Sequence, residues 1–409
     1  MLKIKFWLKI SLLNLCIVAA LGVLMRYKIG FEFPYLDQKH LQHSHSHFAF
    51  AGWLSHTLMA LMVYLLQTKI TDFNGNKYKN TIIANLICSY GMLVSFIIEG
   101  YGLVSIILST ASIFVSYVFA FRFIKDSKLL DADCIAKSWL KAAVFFNAFS
   151  SLGTFYLAYM MATKNVVLDL YHSSIYFYLH FQYNGWFFFA CMGLAFGFLN
   201  LRKSEHSFYE TSFKLFAAAC VPAYFLSTLW LELPLWLYAI AVLAALIQVF
   251  AWFKLLAIAI KTRKDFLENF PPLLRYILLF ASFALSIKLL LQLGSTVPLL
   301  SELAFGFRPI VIAYLHLVLL AIITLFVLFY IYANHLLIIN KNIKHGIVLF
   351  SIGVLLNEIV LAVQGLASFS YIPIPYVNEI LFGIAIILLI GIGITTYFSI
   401  KKTKNNPPL

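Results

Sequence analysis

A succession of apolar runs, each long enough to cross about 30 Å of hydrocarbon as a helix, constrains this chain more than any other feature. They lie near 7–25, 48–67, 81–99, 101–124, 139–161, 179–200, 212–231, 234–260, 272–293, 309–333, 346–366 and 377–399. Hydrocarbon offers backbone amides no partner, and a helix satisfies them within one segment. The expectation is an all-α polytopic membrane protein of twelve transmembrane helices, with 1–409 as a single transmembrane domain. A composition of 62% hydrophobic and 11% charged residues excludes a soluble globule, in which about half the residues are apolar and about a quarter charged. The first run starts Met-Leu-Lys-Ile-Lys and reaches Met25-Arg26-Tyr27 without a small-residue cleavage site. It reads as a helix rather than a signal peptide.

A net charge of +14 can indicate a nucleic-acid partner, but its placement here argues for topology. With the N-terminus inside, 24 Lys and Arg fall at the inner loops and termini, and 5 (Arg26, Lys28, Lys39, Lys164, Arg308) at the outer loops. Only Lys288 is left, inside the ninth run. The split alternates loop by loop, as the positive-inside rule requires. It implies an N-in, C-in chain in a bacterial cytoplasmic (inner) membrane, with lipid as its first partner and no nucleic acid. The five cysteines are scattered without a C-x-x-C pair, so neither a disulfide framework nor a sulfur-ligated metal is expected.

Five of the eleven histidines lie in His40-Leu-Gln-His43-Ser-His45-Ser-His47-Phe-Ala-Phe-Ala-Gly52-Trp53-Leu-Ser-His56. Imidazole ligates heme iron, copper and zinc, and the charge alternation puts this cluster on the outer side, together with His172, His180 and His316. At about 100° per residue, His45, Ala49, Gly52 and His56 share a helical face on which a flat macrocycle has room to lie. If residues 40–47 are helical, His40, His43 and His47 share another face; if extended, His43, His45 and His47 do. Either arrangement suits an outer-surface copper or zinc ion.

This pattern resembles the catalytic subunit of the heme-copper oxidases and nitric oxide reductases. That family has a twelve-helix core and a low-spin heme held by histidines on helices 2 and 10. The segment His45-Ser-His47-Phe-Ala-Phe-Ala-Gly52-Trp53 is similar to the helix 2 ligand segment, and Tyr314-Leu-His316 to the helix 10 His-x-His. The resemblance implies heme b with His45 and His316 as axial ligands and Gly52 beside them. It also implies an electron donor such as cytochrome c or a quinone, small partner subunits, and electron transfer or binding or reduction of nitric oxide or oxygen. The chain departs from the family where the second metal would sit. Tyr314 replaces the first histidine of the His-x-His, the paired histidines of helix 7 are missing, and only His180 on helix 6 remains as a copper ligand. The binuclear centre is therefore degenerate or rebuilt, and a second heme or a copper stays open, with His180, Tyr183 and Tyr314 as the candidate catalytic groups and His43, His47 and His180 as candidate metal ligands.

His180, Tyr183 and Asn184 fall at i, i+3 and i+4 and so share a face. This group suits a heme, gas or quinone pocket, and suits a structural hydrogen-bond network equally. Lys288 and Glu358 lie deep in apolar runs, where charge is costly, and are candidates for a proton path. The competing reading is a twelve-helix secondary transporter or metal permease that uses the outer histidines as an entry site.

Overall fold

The computed structural model describes residues 2–131, 133–199, 206–301, 307–369 and 371–401. Arg202, Lys203, Lys402 and Lys404, counted among the inner charges, lie outside the described residues. The main elements are helices α1 (Ile4–Gly30), α2 (Gln38–Lys69), α3 (Lys79–Glu99), α4 (Leu103–Ser127), α5 (Ile135–Thr163) and α6 (168–198). They continue with α7 (His206–Cys220), α8 (Leu235–Glu268), α9 (Pro272–Gly294), α10 (Arg308–Ala333), α11 (Lys341–Phe369) and α12 (Val377–Ile400). The described residues contain no β-strand.

Ten helices among the described residues are long and apolar enough to cross a membrane; the expected runs 179–200 and 212–231 are not among them. The first is helical, but Gln182, Tyr183 and Asn184, all buried, dilute its apolar character. The second is interrupted: α7 stops at Cys220, and Pro222 opens a 3₁₀ stretch, Pro222–Thr228, because proline has no N–H to continue the α-helical ladder.

By its internal packing the chain divides into two compact units, Met1–Arg122 with Val327–Leu409, and Phe123–Phe326. In the first, α1 packs between α2 and α12, α2 packs on α3, and α11 packs on α12. The α11–α12 crossing is close because both helices present glycine. A Cβ on Gly391 would lie 2.5 Å from the Phe350 amide nitrogen, and one on Gly346 would lie 2.5 Å from Thr395 Oγ1. Small residues at such crossings gain the van der Waals contact that replaces the hydrophobic drive in lipid. Thr396 Oγ1 donates to the Leu12 carbonyl at 3.1 Å and ties α12 to α1.

In the second unit α5 packs along α6, and α7 with its 3₁₀ extension packs on α8. Alanines line that contact: Ala219 and Ala223 meet Ala241, Ala244 and Ala245, with Leu226 among them. Helix α9 lies against α8 and against part of α10, and Trp252 Nε1 donates to Ser286 Oγ at 2.8 Å across α8 and α9.

Candidate functional site

Residues 40–47 are helical, which decides between the two conformations the sequence left open. Asp37 caps the N-terminus of α2: its carboxylate accepts the amides of Lys39 (2.8 Å) and His40 (3.0 Å). The His40 amide bond is the largest cause holding this carboxyl below its ordinary pKa, and the Lys39 amide adds to it. The N-terminal turn thereby obtains the acceptor its orphan N–H groups need.

With α2 helical from Gln38, His40, His43 and His47 face α3 and the turn after it. His40 Nδ1 is 3.4 Å from the Ile97 carbonyl, and its ring lies over Gly100, where a Cβ would come within 2.6 Å of Nε2 and where φ is +60°. Only glycine tolerates both conditions easily. The His43 ring meets Tyr101 edge-on at 4.6 Å. His47 stacks on Phe96 at 4.3 Å and is hydrogen-bonded to the Tyr101 hydroxyl at 3.0 Å. These rings are engaged by aromatic packing, and no group of three His, Cys, Asp or Glu side chains placed to hold a metal ion occurs among the described residues.

His45 points the other way, toward α1: its Cε1 lies 3.6 Å from where a Cβ on Gly22 would be. Gly52 and His56 follow along the same helix, with the Gly52 carbonyl bonded to Asn14 and the His56 ring 5.8 Å from Trp7. The expected common face exists, and α1 covers it. The space expected beside Gly52 is filled, since a Cβ there would lie 2.6 Å from the Phe48 ring. Gly52 is thus a packing and hydrogen-bonding position rather than a bare floor for a macrocycle. His45 is half-buried, whereas His56 is sealed at 0% exposure.

The histidines share a backbone feature that the sequence did not reveal. A π-helical stretch starts immediately after His47 (Phe48–Ser55, 8 residues), after His180 (Phe181–Phe187, 7 residues) and after His316 (Leu317–Thr324, 8 residues). Amide bonds reach back five residues there, as from His56 to Ala51 and from Leu325 to Leu320. Such stretches are rare, and short π-bulges concentrate at functional sites.

Side chains satisfy the carbonyls that the wider turns put out of α-helical register. Asn14 Nδ2 donates to the Gly52 carbonyl at 2.6 Å, and Asn85 Nδ2 to Ala51 at 3.1 Å. Tyr90 donates to Asn14 Oδ1 at 2.6 Å. Both asparagines are buried, and each stands inside an apolar run. Polar groups at membrane depth are costly without partners, and that signal could have singled out Asn14 and Asn85 from the sequence.

In the second unit His180 is fully buried, and both ring nitrogens are engaged. Nε2 lies 2.9 Å from the Cys220 carbonyl and Nδ1 3.1 Å from Asn184 Nδ2. The bonds are consistent when Nε2–H donates to Cys220 and the Asn184 amide donates to Nδ1, an assignment made from the network. The Tyr224 amide that an α-helix would give to Cys220 bonds Val221 instead, so the break at Pro222 prepares the acceptor for His180. Gln182 donates to Asn147 Oδ1 (2.9 Å) and Ser150 Oγ (2.8 Å) on α5. The face expected to carry copper is a closed structural network, and its donor set does not fit that metal.

Tyr183 and Tyr314 meet edge-on at 6.0 Å, and the Tyr183 phenol is hydrogen-bonded to Tyr314 and Ser227. His316, half-buried, has Nδ1 2.8 Å from the Ile312 carbonyl. A carbonyl only accepts, so Nδ1 carries the proton and Nε2 the lone pair. Lys288 is buried, forms no hydrogen bond or ion pair among the described residues, and lines a cavity of about 10 Å³ with Asn184 and Gln248. Glu358 accepts from Asn357 Nδ2 at 3.2 Å.

Fold and site together define an α-helical polytopic membrane protein whose histidines stand where helices pass from α to π geometry. No protein-family model matches the sequence, and no curated protein is similar to it.

Proposed function

We propose that this chain is a b-type heme protein of the membrane, similar to the heme-copper oxidase and nitric oxide reductase subunit, with His45 and His316 as the residues that would hold heme iron. The observation that carries the reading is the His316 bond. Its Nδ1–H is held by the Ile312 carbonyl, the outer partner that fixes tautomer and ring orientation in metal-bound histidines, and its Nε2 has the lone pair that iron needs. His45 is the residue of the opening cluster on which the likeness to the family's helix 2 ligand segment falls. His40, His43 and His47 are committed to α3 and the turn after it, and His56 is sealed.

Bound heme would supply one-electron chemistry, and a diatomic gas would reach its iron only by displacing one of the two imidazoles. The chain's own part is to orient the imidazoles, and the Ile312 bond does so for His316. The copper half of the family's centre has no counterpart in the His180 network, so the reading is electron transfer or gas binding without copper-assisted reduction. Twelve crossings, an N-in and C-in topology, the bacterial cytoplasmic membrane with the histidines outside, and a cytochrome c or quinone donor complete the proposal. They are tested by reporter fusions at each loop and by donor-oxidation assays.

The deciding experiment is a reduced-minus-oxidised absorption spectrum of protein purified from a heme-replete host. Heme b bands should be present and should disappear in His45→Ala and in His316→Ala, while His56→Leu retains them. Protein that folds and carries no heme overturns the reading and leaves the transporter alternative standing.

A further inference from the structure

A second cavity, of about 220 Å³, lies wholly within the second unit. It is walled by the turn that leads into α8 and by the residues that follow α9. Its apolar walls are Leu229, Leu231, Leu233 and Pro298, and its polar walls Tyr238, Thr296 and Ser301. Leu235 and Trp236, which follow Leu233 in the chain at the start of a membrane-crossing helix, are 82% and 64% exposed. The basic loop of Lys261 to Arg275 is at the other end of α8 and α9.

Three properties define what this cavity takes. Among the described residues no charged side chain lines it, and a charged guest would find no counter-charge on these walls, so the occupant is uncharged. An apolar cavity of about 150 Å³ already admits a benzene-sized guest, so the occupant is of ring size, from one ring to two fused rings. The third property is a hydrogen bond that the protein leaves unmade. Ser301 is 5% exposed, and its hydroxyl has no hydrogen-bond partner among the described residues. The other two wall hydroxyls are committed, Thr296 Oγ1 to the Leu293 carbonyl at 2.7 Å and the Tyr238 phenol to the Thr296 carbonyl. One donor is thus presented to the cavity. A carbonyl accepts it without bringing a further proton that would need its own acceptor.

We propose that this cavity is a binding site for a membrane-dissolved, uncharged cyclic carbonyl compound of one or two rings, whose oxygen accepts the Ser301 hydroxyl and whose ring fills the space among the leucines and Tyr238. The site is independent of heme, since none of its residues belongs to the histidine networks. Binding is measured by equilibrium dialysis of the detergent-solubilised full chain against two probes of equal shape, 1-tetralone and its hydrocarbon tetralin, with empty micelles as background. Wild type should retain both above background and prefer the ketone about three- to tenfold, the value of one neutral hydrogen bond. Ser301→Ala should keep tetralin binding and lose the preference, and Leu233→Trp, which fills the cavity, should reduce both probes to background. Retention no greater than that of empty micelles, or a preference that survives Ser301→Ala, overturns the proposal. Should Leu233→Trp not fold, the Ser301→Ala comparison decides alone.

Discussion

Replacing Asn14 with leucine tests whether the π stretch of α2 is held in place by its neighbours. Asn14 is 0% exposed, donates to the Gly52 carbonyl at 2.6 Å and accepts from Tyr90 at 2.6 Å. Leucine preserves the bulk and removes both bonds. A neutral bond contributes about 1 kcal/mol in soluble proteins and about 0.6 kcal/mol on average in membrane double-mutant cycles. Asn14→Leu should therefore cost about 1–3 kcal/mol, the upper end applying if the Gly52 carbonyl and Tyr90 hydroxyl stay dry and unbonded. Tyr90→Phe removes one of the two bonds and should cost about 0.5–1 kcal/mol. The double variant should lose less than the sum by a similar amount, because Tyr90 has nothing to bond once Asn14 is gone. Reversible unfolding in mixed SDS micelles measures all three, and hydrogen exchange should show the lost protection concentrated in Phe48–Ser55. A cost below about 0.3 kcal/mol, or strict additivity of the two changes, would refute the reasoning.

Further outcomes follow from the same contacts. His180→Leu leaves the Cys220 carbonyl and the Asn184 amide buried without their partner, so it should destabilise by about 2–4 kcal/mol. Copper measured by plasma mass spectrometry should be unchanged by it; stoichiometric copper lost with His180 would contradict the structural role. Gly391→Ala puts a Cβ 2.5 Å from the Phe350 backbone, whereas Gly383→Ala on the same helix meets nothing within 4 Å. The first should cost about 1–3 kcal/mol by forcing α11 and α12 apart, and thermal unfolding should find the second near neutral. Asp37 has a folded pKa below its ordinary value because it accepts the His40 and Lys39 amides. Its cap is fully present above the ordinary carboxylate range and lost as pH falls through the lowered value. NMR of the first turn of α2 should show fraying on that acid limb in wild type, and Asp37→Asn should abolish the titration.

The membrane-crossing helices were legible because their signal is a sum over about twenty residues, which no single side chain overturns. Two expected runs fall outside the ten for local reasons. In 179–200 a buried polar band replaces apolar residues, and in 212–231 one proline divides the segment. Helical phase placed His45, Gly52 and His56 on one face, and they do line up along α1. It could not tell whether that face was open or covered, because Phe48 and α1 reach it from outside the residues being counted.

The sequence by itself determined that this chain is an apolar, α-helical membrane protein with imidazoles gathered where its helices begin, since hydrocarbon leaves the backbone no alternative and composition alone conveys it. Tertiary structure decided what each imidazole does. A histidine becomes a closed structural bond at His180, where a carbonyl and an amide meet it, an aromatic stack at His47, where a ring does, or an oriented ring at His316, where a single carbonyl holds Nδ1. Those partners come from a broken helix end at Cys220, from Phe96 on a neighbouring helix and from a carbonyl one turn back at Ile312. The π geometry that follows three of the histidines also meets its partners in the packing: in α2, asparagines on adjacent helices donate to the Gly52 and Ala51 carbonyls.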